Sequence, residues 1–352
     1  MEAKLDDPSI FIGLERKNLI SFGSGQPDLP PPEQVFKILP SYRQFKYGLI
    51  QGQENLRKAI SEQYAGSTQD SVVITNGASE ALDLTFRTVC QPGDKILIHK
   101  PYYYSYVPLA QKNHLEPVFT ETIKGKIDMG DFQEKVKGCR AVLINSPSNP
   151  TGRIQEISTL KQIEKTCAEL DTTIISDEVY KDLIYERENY MLKGNHVVTI
   201  NSFSKTFAMC GFRVGYLYSN DPKIVHDIVA LKTHSSMNTS IIAQEMAFEA
   251  TKAPKEYQKE QLKIWRQRRD LIYKGLEELG LQLSKPEGAF YVLPRFQNPK
   301  KAVWELFKKH EVITYLGDWF GAPGHIRLSY ALKQEKIEEG LKRIGKYLNE
   351  NA

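Results

Sequence analysis

Four cysteines in 352 residues are too few and too scattered for a disulfide framework. Cys90, Cys139, Cys167 and Cys210 form no CxxC pair and have no neighbouring histidine, which argues against a zinc site and suits a reducing cytoplasm. No apolar run approaches the length of a membrane span, and MEAKLDDPSIF has no signal-peptide pattern, so a cytoplasmic protein that avoids membranes is expected. Net charge is only +4 and scattered. The densest basic cluster, RQRR (266–269), lies where charges of both signs alternate around an apolar stripe, and is expected to be a solvated helix face rather than a nucleic-acid patch. There is no repeat or low-complexity linker.

What is present is a chain 41% hydrophobic, enough for one large core and a smaller second one. From about residue 70, short β-rich runs alternate with helical stretches: SVVIT (71–75), KILIH (95–99), EPVFT (116–120), AVLIN (141–145), TTIIS (172–176), HVVTI (196–200) and VGYLY (214–218). Most are continuously apolar, as strands buried on both faces are. Alternation with helices predicts an α/β layer with a mainly parallel sheet. After about 220 the pattern becomes α+β: a long amphipathic helix near 254–279, GAFYVLP (288–294), a helix near 299–309, VITYL (312–316), HIRLSYA (325–331) and a closing helix. The predicted division is a large domain over 35–235, and a small one made of 1–34 with 236–352.

Ligands of open parallel sheets bind beyond the carboxyl ends of the strands. After SVVIT comes NGASEALDLTF, a helix opening at Ala78-Ser79 whose free N–H groups attract an anion; taken alone it reads as an ordinary turn capped by Ser79. After AVLIN comes SPSNPTGR, with the amide of Asn149; after TTIIS comes DEVY, with Asp177 and Tyr180; after HVVTI comes NSFSKTFAMCGFRVGY, with Lys205 and Arg213. Asn149, Asp177 and Lys205 follow one another at intervals of 28 residues, about one strand–helix unit each, so all three are expected at one sheet edge. An amide, a carboxylate and a lysine beside a phosphate seat match the demands of pyridoxal 5′-phosphate, whose aldehyde takes a lysine and whose ring nitrogen takes a carboxylate. Such a lysine must lose its proton, which suits small neutral neighbours (Ser202, Ser204) and nearby positive charge (Arg213).

On these residues, and on S-x-S-K-x-F-x-x-x-G-x-R-x-G-Y over 202–216 in particular, the chain resembles fold-type I pyridoxal-phosphate enzymes of the class I/II (aspartate aminotransferase-like) family, from SFGSGQPDLP (21–30) to HIRLSYA. The resemblance implies that Lys205 bonds the cofactor and shuttles a proton, and that Asp177 pairs with the ring nitrogen. Asn149 and Tyr180 would bond the 3′-oxygen, and Ala78, Ser79, Ser202, Ser204 and Arg213 would hold the phosphate. Tyr103, in KPYYYSY, would stack on the ring, and Tyr47 would reach the phosphate of a neighbouring subunit, making a homodimer with shared sites. Gly25 would line the substrate site by its backbone, and Arg327 would grip the substrate α-carboxylate. Ser79 stands where some aspartate-specific members carry a lysine. The implied activity moves an amino group from an L-amino acid (aspartate, alanine, aromatic or similar) to a 2-oxo acid such as 2-oxoglutarate, with ping-pong kinetics. A C–S β-lyase, an α-decarboxylase and a non-catalytic cofactor-binding regulator are the competing readings.

Overall fold

A computed structural model describes Phe11 and residues 18–351. All seven runs named above form one sheet. Its order is Val72–Thr75, Gly215–Ser219, Val197–Ser202, Thr173–Asp177, Ala141–Asn145, Lys95–His99, Glu116–Thr120. Neighbours are parallel except at Gly215–Ser219, which runs antiparallel to both of its neighbours. The cause is chain length. Only residues 203–214 link Val197–Ser202 to this strand, barely the dozen residues a parallel crossover needs, and their only helical content is two short turns. That connection is the lysine-bearing stretch.

Six of the strands are buried on both faces, as their unbroken apolar runs require, and the edge strand Glu116–Thr120 is largely half-buried. Val73, Ile96, Ile98, Leu143, Ile175, Val198 and Leu217 pack beneath the helix Ala78–Val89, while Leu97, Val142, Ile144 and Ile174 pack under the helix Ile157–Glu169. The second core gathers Trp265, Ile272, Phe290, Leu306, Ile326 and Ile344 from the C-terminal third together with Phe22. Its three-stranded sheet runs Tyr291–Val292, Ile326–Ser329, Tyr315–Leu316, and Ile20–Ser21 pairs in parallel with Val312–Ile313. The helix Pro299–His310 shows local determinants well: Asn298 accepts from the Lys301 N–H at 3.2 Å, Pro299 opens the helix, and Lys308, Lys309 and His310 face the negative end of its dipole.

Two expectations change. The helix Ile241–Thr251 lies beyond the expected boundary at 235, yet Ala243, Met246, Ala247 and Ala250 pack with Val72, Ile74 and Tyr216 of the large sheet. RQRR is a solvated face only in part: Arg266 and Gln267 are exposed, whereas Arg268 and Arg269 are buried. Arg268 forms a two-pronged pair with Asp28 at 2.6 and 3.2 Å, Arg269 pairs with Glu186 and Asp270, and Arg266 donates to the Tyr185 carbonyl. Their carboxylate partners Asp28 and Glu186 are remote in sequence, so periodicity along the helix could not reveal them. The N-terminal residues before Asn18, apart from Phe11, lie outside the described part, and with them most of the expected packing of 1–34.

Candidate active site

The carboxyl ends of three adjacent strands bring the expected residues together. Asp177 ends its strand and is buried, 4% exposed. The Tyr106 hydroxyl donates to it at 2.6 Å and the Val179 N–H at 3.2 Å. Burial pushes its carboxyl above the usual range, against the pull of those two donors. Among the described residues no cationic side chain forms an ion pair with it, so the site offers a buried acceptor that a protonated ring nitrogen would complete. Asn149 is held through its own N–H, which donates to the Asn145 side chain at 2.8 Å. Tyr180 shares a 2.7 Å hydrogen bond with the Tyr291 hydroxyl.

Lys205 sits on the single helical turn Phe203–Thr206. Its Nζ donates to the Gly25 carbonyl at 2.6 Å, so Gly25 lines the site by its backbone. Burial holds the amine below its ordinary value, and the positive charges of Arg327 and Arg213 push the same way, against Cys210 and Asp177. Ser202 caps this turn, its Oγ accepting from the Ser204 N–H at 2.9 Å, which leaves its own O–H free to donate to a further group.

The phosphate seat is recognisable from its backbone. The helix Ala78–Val89 opens on Gly77, at φ 80°, without a side-chain cap, so Ser79 does not cap it; Ser79 is exposed. A Cβ on Gly77 would lie 2.4 Å from Nη2 of Arg213, and one on Gly215 would lie 2.7 Å from the Ala78 nitrogen. Only bare backbone lets Arg213, itself left-handed at φ 56°, reach the helix opening. Free N–H groups beside a guanidinium make a cradle for a dianion. Tyr103 stands in the tyrosine run, its ring edge-on to Tyr106 at 5.4 Å.

Arg327 lies in Ile326–Ser329, 2% exposed, its guanidinium 4.6, 4.7 and 4.8 Å from the rings of Tyr291, Tyr315 and Phe320. It donates to Asn149 Oδ1 at 3.2 Å and to the Gly23 carbonyl, and its Nε finds no partner. Among the described residues no carboxylate comes within ion-pair distance of it. A buried cation without an anion is costly unless a ligand supplies one. Tyr47 is the exception to the convergence: it is 83% exposed, on a segment that also exposes Phe45 and Leu49.

The aminotransferase class I and II family model matches residues 17–344. The chain belongs to this family. As a class I/II aminotransferase it is a pyridoxal 5′-phosphate enzyme, and the buried amine, the buried carboxylate and the bare-backbone cradle fit that cofactor. It is 33% identical to a probable aspartate/prephenate aminotransferase of Aquifex aeolicus, over 97% of this chain and 96% of the relative. It is 32% identical to an aspartate aminotransferase of Thermotoga maritima, over 98% and 96%. The structure of the Thermus thermophilus aspartate aminotransferase with maleate superposes with a TM-score of 0.90 at 29% identity, covering 94% of this chain and 91% of that one.

Sequence reasoning missed two tyrosines of this aminotransferase site. Tyr106, which grips Asp177, opens the helix Tyr106–Lys112 and ends a tyrosine run that reads as packing. Tyr291 touches Tyr180 and Arg327 from a two-residue strand too short for any periodic signal. The signal available was polarity: a hydroxyl inside GAFYVLP has to find a partner when buried.

Proposed function

We propose that this aminotransferase binds an L-amino acid through its α-carboxylate on Arg327 and passes the amino group to a 2-oxo acid such as 2-oxoglutarate. The observation that carries the reading is the buried, anion-free guanidinium of Arg327, joined to Lys205 by one backbone segment: the Gly23 carbonyl accepts from the arginine and the Gly25 carbonyl from the lysine. A two-pronged Arg–carboxylate pair in an apolar box is both strong and directional.

When bound, pyridoxal 5′-phosphate supplies an aldehyde that takes up the amino group and a protonated ring that draws electrons from the substrate's Cα–H bond. The chain's residues do the rest. Lys205, its amine biased toward the neutral form by burial and by two arginines, removes the proton at Cα and returns one. Asp177, fixed by Tyr106 and Val179, holds the proton at the ring nitrogen. Asn149 and Tyr180 would hydrogen-bond the 3′-oxygen, Tyr103 would cover the ring face, and Ala78, Ser79, Ser202, Ser204 and Arg213 would hold the phosphate. The donor leaves as a 2-oxo acid before the acceptor enters, hence ping-pong kinetics.

Tyr47 is part of this reading through a second copy. Its exposure beside Phe45 and Leu49 supports a homodimer in which Tyr47 completes the neighbour's phosphate site. No described helix is long and apolar enough to cross a membrane. The four described cysteines are free, which supports a cytoplasmic location. The large unit, residues 35 to about 252, holds the cofactor residues, and the remainder carries Arg327.

A panel of amino acids with the loaded enzyme tests the reading. Loss of the cofactor's visible absorbance with release of the matching 2-oxo acid is expected, and borohydride followed by peptide mapping should place the cofactor's mass on Lys205. Release of ammonia with pyruvate, or of carbon dioxide, would favour a lyase or a decarboxylase instead.

A further inference from the structure

Lys205 rides on one helical turn, far shorter than a helix that holds its own shape. Side chains secure both ends of it. Ser202 caps the first end. At the second, the Thr206 hydroxyl donates to Oδ2 of Asp182 at 3.1 Å. Asp182 belongs to the turn that carries Asp177 and Tyr180, and that turn is stiffened by the Lys181 N–H on the Glu178 carbonyl and the Leu183 N–H on the Tyr180 carbonyl, both at 2.9 Å. The aspartate is steadied in turn by Lys181, whose Nζ lies 3.4 Å from Oδ1 and also donates to Gln63 at 3.0 Å.

One side-chain hydrogen bond therefore joins the segment facing the cofactor's ring nitrogen to the segment presenting the lysine. We propose that Asp182 is a positioning residue, acting through Thr206 to hold Lys205 at its working distance from Asp177. The proposal rests on the assignment of Lys205 and Asp177 as the cofactor's partners. A strut is useful here because the backbone ladders hold only the start of the turn: on the Asp177 side the last bond runs from the Glu178 N–H to the Ile200 carbonyl, and on the other side the last is the Phe203 N–H on the Val214 carbonyl at 3.1 Å, two residues before the lysine. Without Asp182 the turn can rock about the strand end, and a displacement of about 1 Å is enough to lower a rate heavily.

The test uses Thr206→Val and Asp182→Ala, which break the strut, with Thr206→Ser and Asp182→Asn, which keep a donor and an acceptor. Three quantities are read: affinity of the apo-protein for pyridoxal 5′-phosphate, the pH midpoint of the loaded enzyme's visible absorbance, and kcat against KM for one amino acid. The titratable and charged groups that face Lys205 are Cys210, Arg327, Arg213 and Asp177, none of which is altered. Val and Ala should weaken cofactor binding about tenfold, the factor expected for one lost, partly buried hydrogen bond to a carboxylate. They should lower kcat with KM unchanged and move the midpoint, while Ser and Asn stay within about twofold of the parent. Unchanged affinity and midpoint in Thr206→Val and Asp182→Ala overturn the proposal, as does equal damage in the Ser and Asn variants. Thr206→Val breaks the strut without changing any charge; if only Asp182→Ala moves the midpoint, charge is the cause and the strut is refuted. Failure of the parent protein to bind the cofactor defeats the site assignment instead.

Discussion

Arg269 and Arg327 are buried to the same degree, 1% and 2% exposed, and both guanidinium groups lie against aromatic rings. Their surroundings differ in one respect. Arg269 has Glu186 at 2.7 Å and Asp270 at 2.8 Å and donates to the Pro286 carbonyl, whereas Arg327 meets only uncharged carbonyl oxygens. A buried cation that brings its own carboxylates is part of the framework; one that lacks them waits for a ligand. Lys205 is a second case of the latter, since its amine too faces a carbonyl, and Glu178 is the acidic counterpart. Glu178 is 2% exposed, with Oε1 accepting from Ser176 at 2.9 Å and Oε2 unpartnered; burial raises its carboxyl to about 7. For that group the missing partner is a proton.

The largest effect should come from Lys205→Ala, which is expected to cut turnover by about 10⁴-fold or more while the apo-protein melts no lower than the parent. Single-turnover absorbance and a thermal melt measure the two together. Arg327→Met comes next. It should lower kcat/KM for amino acids by about 100- to 1000-fold yet stabilise the ligand-free protein by about 1 kcal/mol, because an uncompensated charge is gone. A melting temperature that falls sharply would mean Arg327 is framework after all.

Glu178→Gln probes the acidic case. A carboxyl raised in the folded state contributes fully below its unfolded value of 4.5 and loses that contribution as pH rises through about 7. The variant should therefore gain on the parent above pH 7, by up to about 3 kcal/mol. Ser176, Lys181, Asp182, Asp177, Tyr64 and Tyr216 surround it, and none is changed. Parallel melting curves for variant and parent across pH 5 to 9 would contradict this. The smallest effect is that of Arg269→Met, about 2 kcal/mol of lost stability. Its two carboxylates are half exposed and can rehydrate, and KM for the amino acid should not move.

The sheet was legible because its strands are unbroken apolar runs, and because the 28-residue spacing counts strand-to-strand steps, although the second step, residues 178–196, is a helix-free loop and not the strand–helix unit expected. Asn149, Asp177 and Lys205 converge for that reason, and Arg213 reaches the helix opening across two bare glycines. What stayed hidden depends on contacts between distant segments. Asp28 and Glu186 turn Arg268 and Arg269 inward, Tyr106 and Tyr291 find their partners only in space, and the helix Ile241–Thr251 shows its allegiance only through packing on Val72 and Ile74. The antiparallel course of Gly215–Ser219 follows from the length of its connection, a cue that strand patterns do not carry.

The segment Gly23 to Gly25 places carbonyl oxygens on both Arg327 and Lys205. A carboxylate entering this site exchanges one set of hydrogen bonds for another instead of meeting bare cations. Binding is then a substitution equilibrium, and the affinity measured for any amino acid is the difference between what it offers Arg327 and Lys205 and what the Gly23 and Gly25 carbonyls already supply.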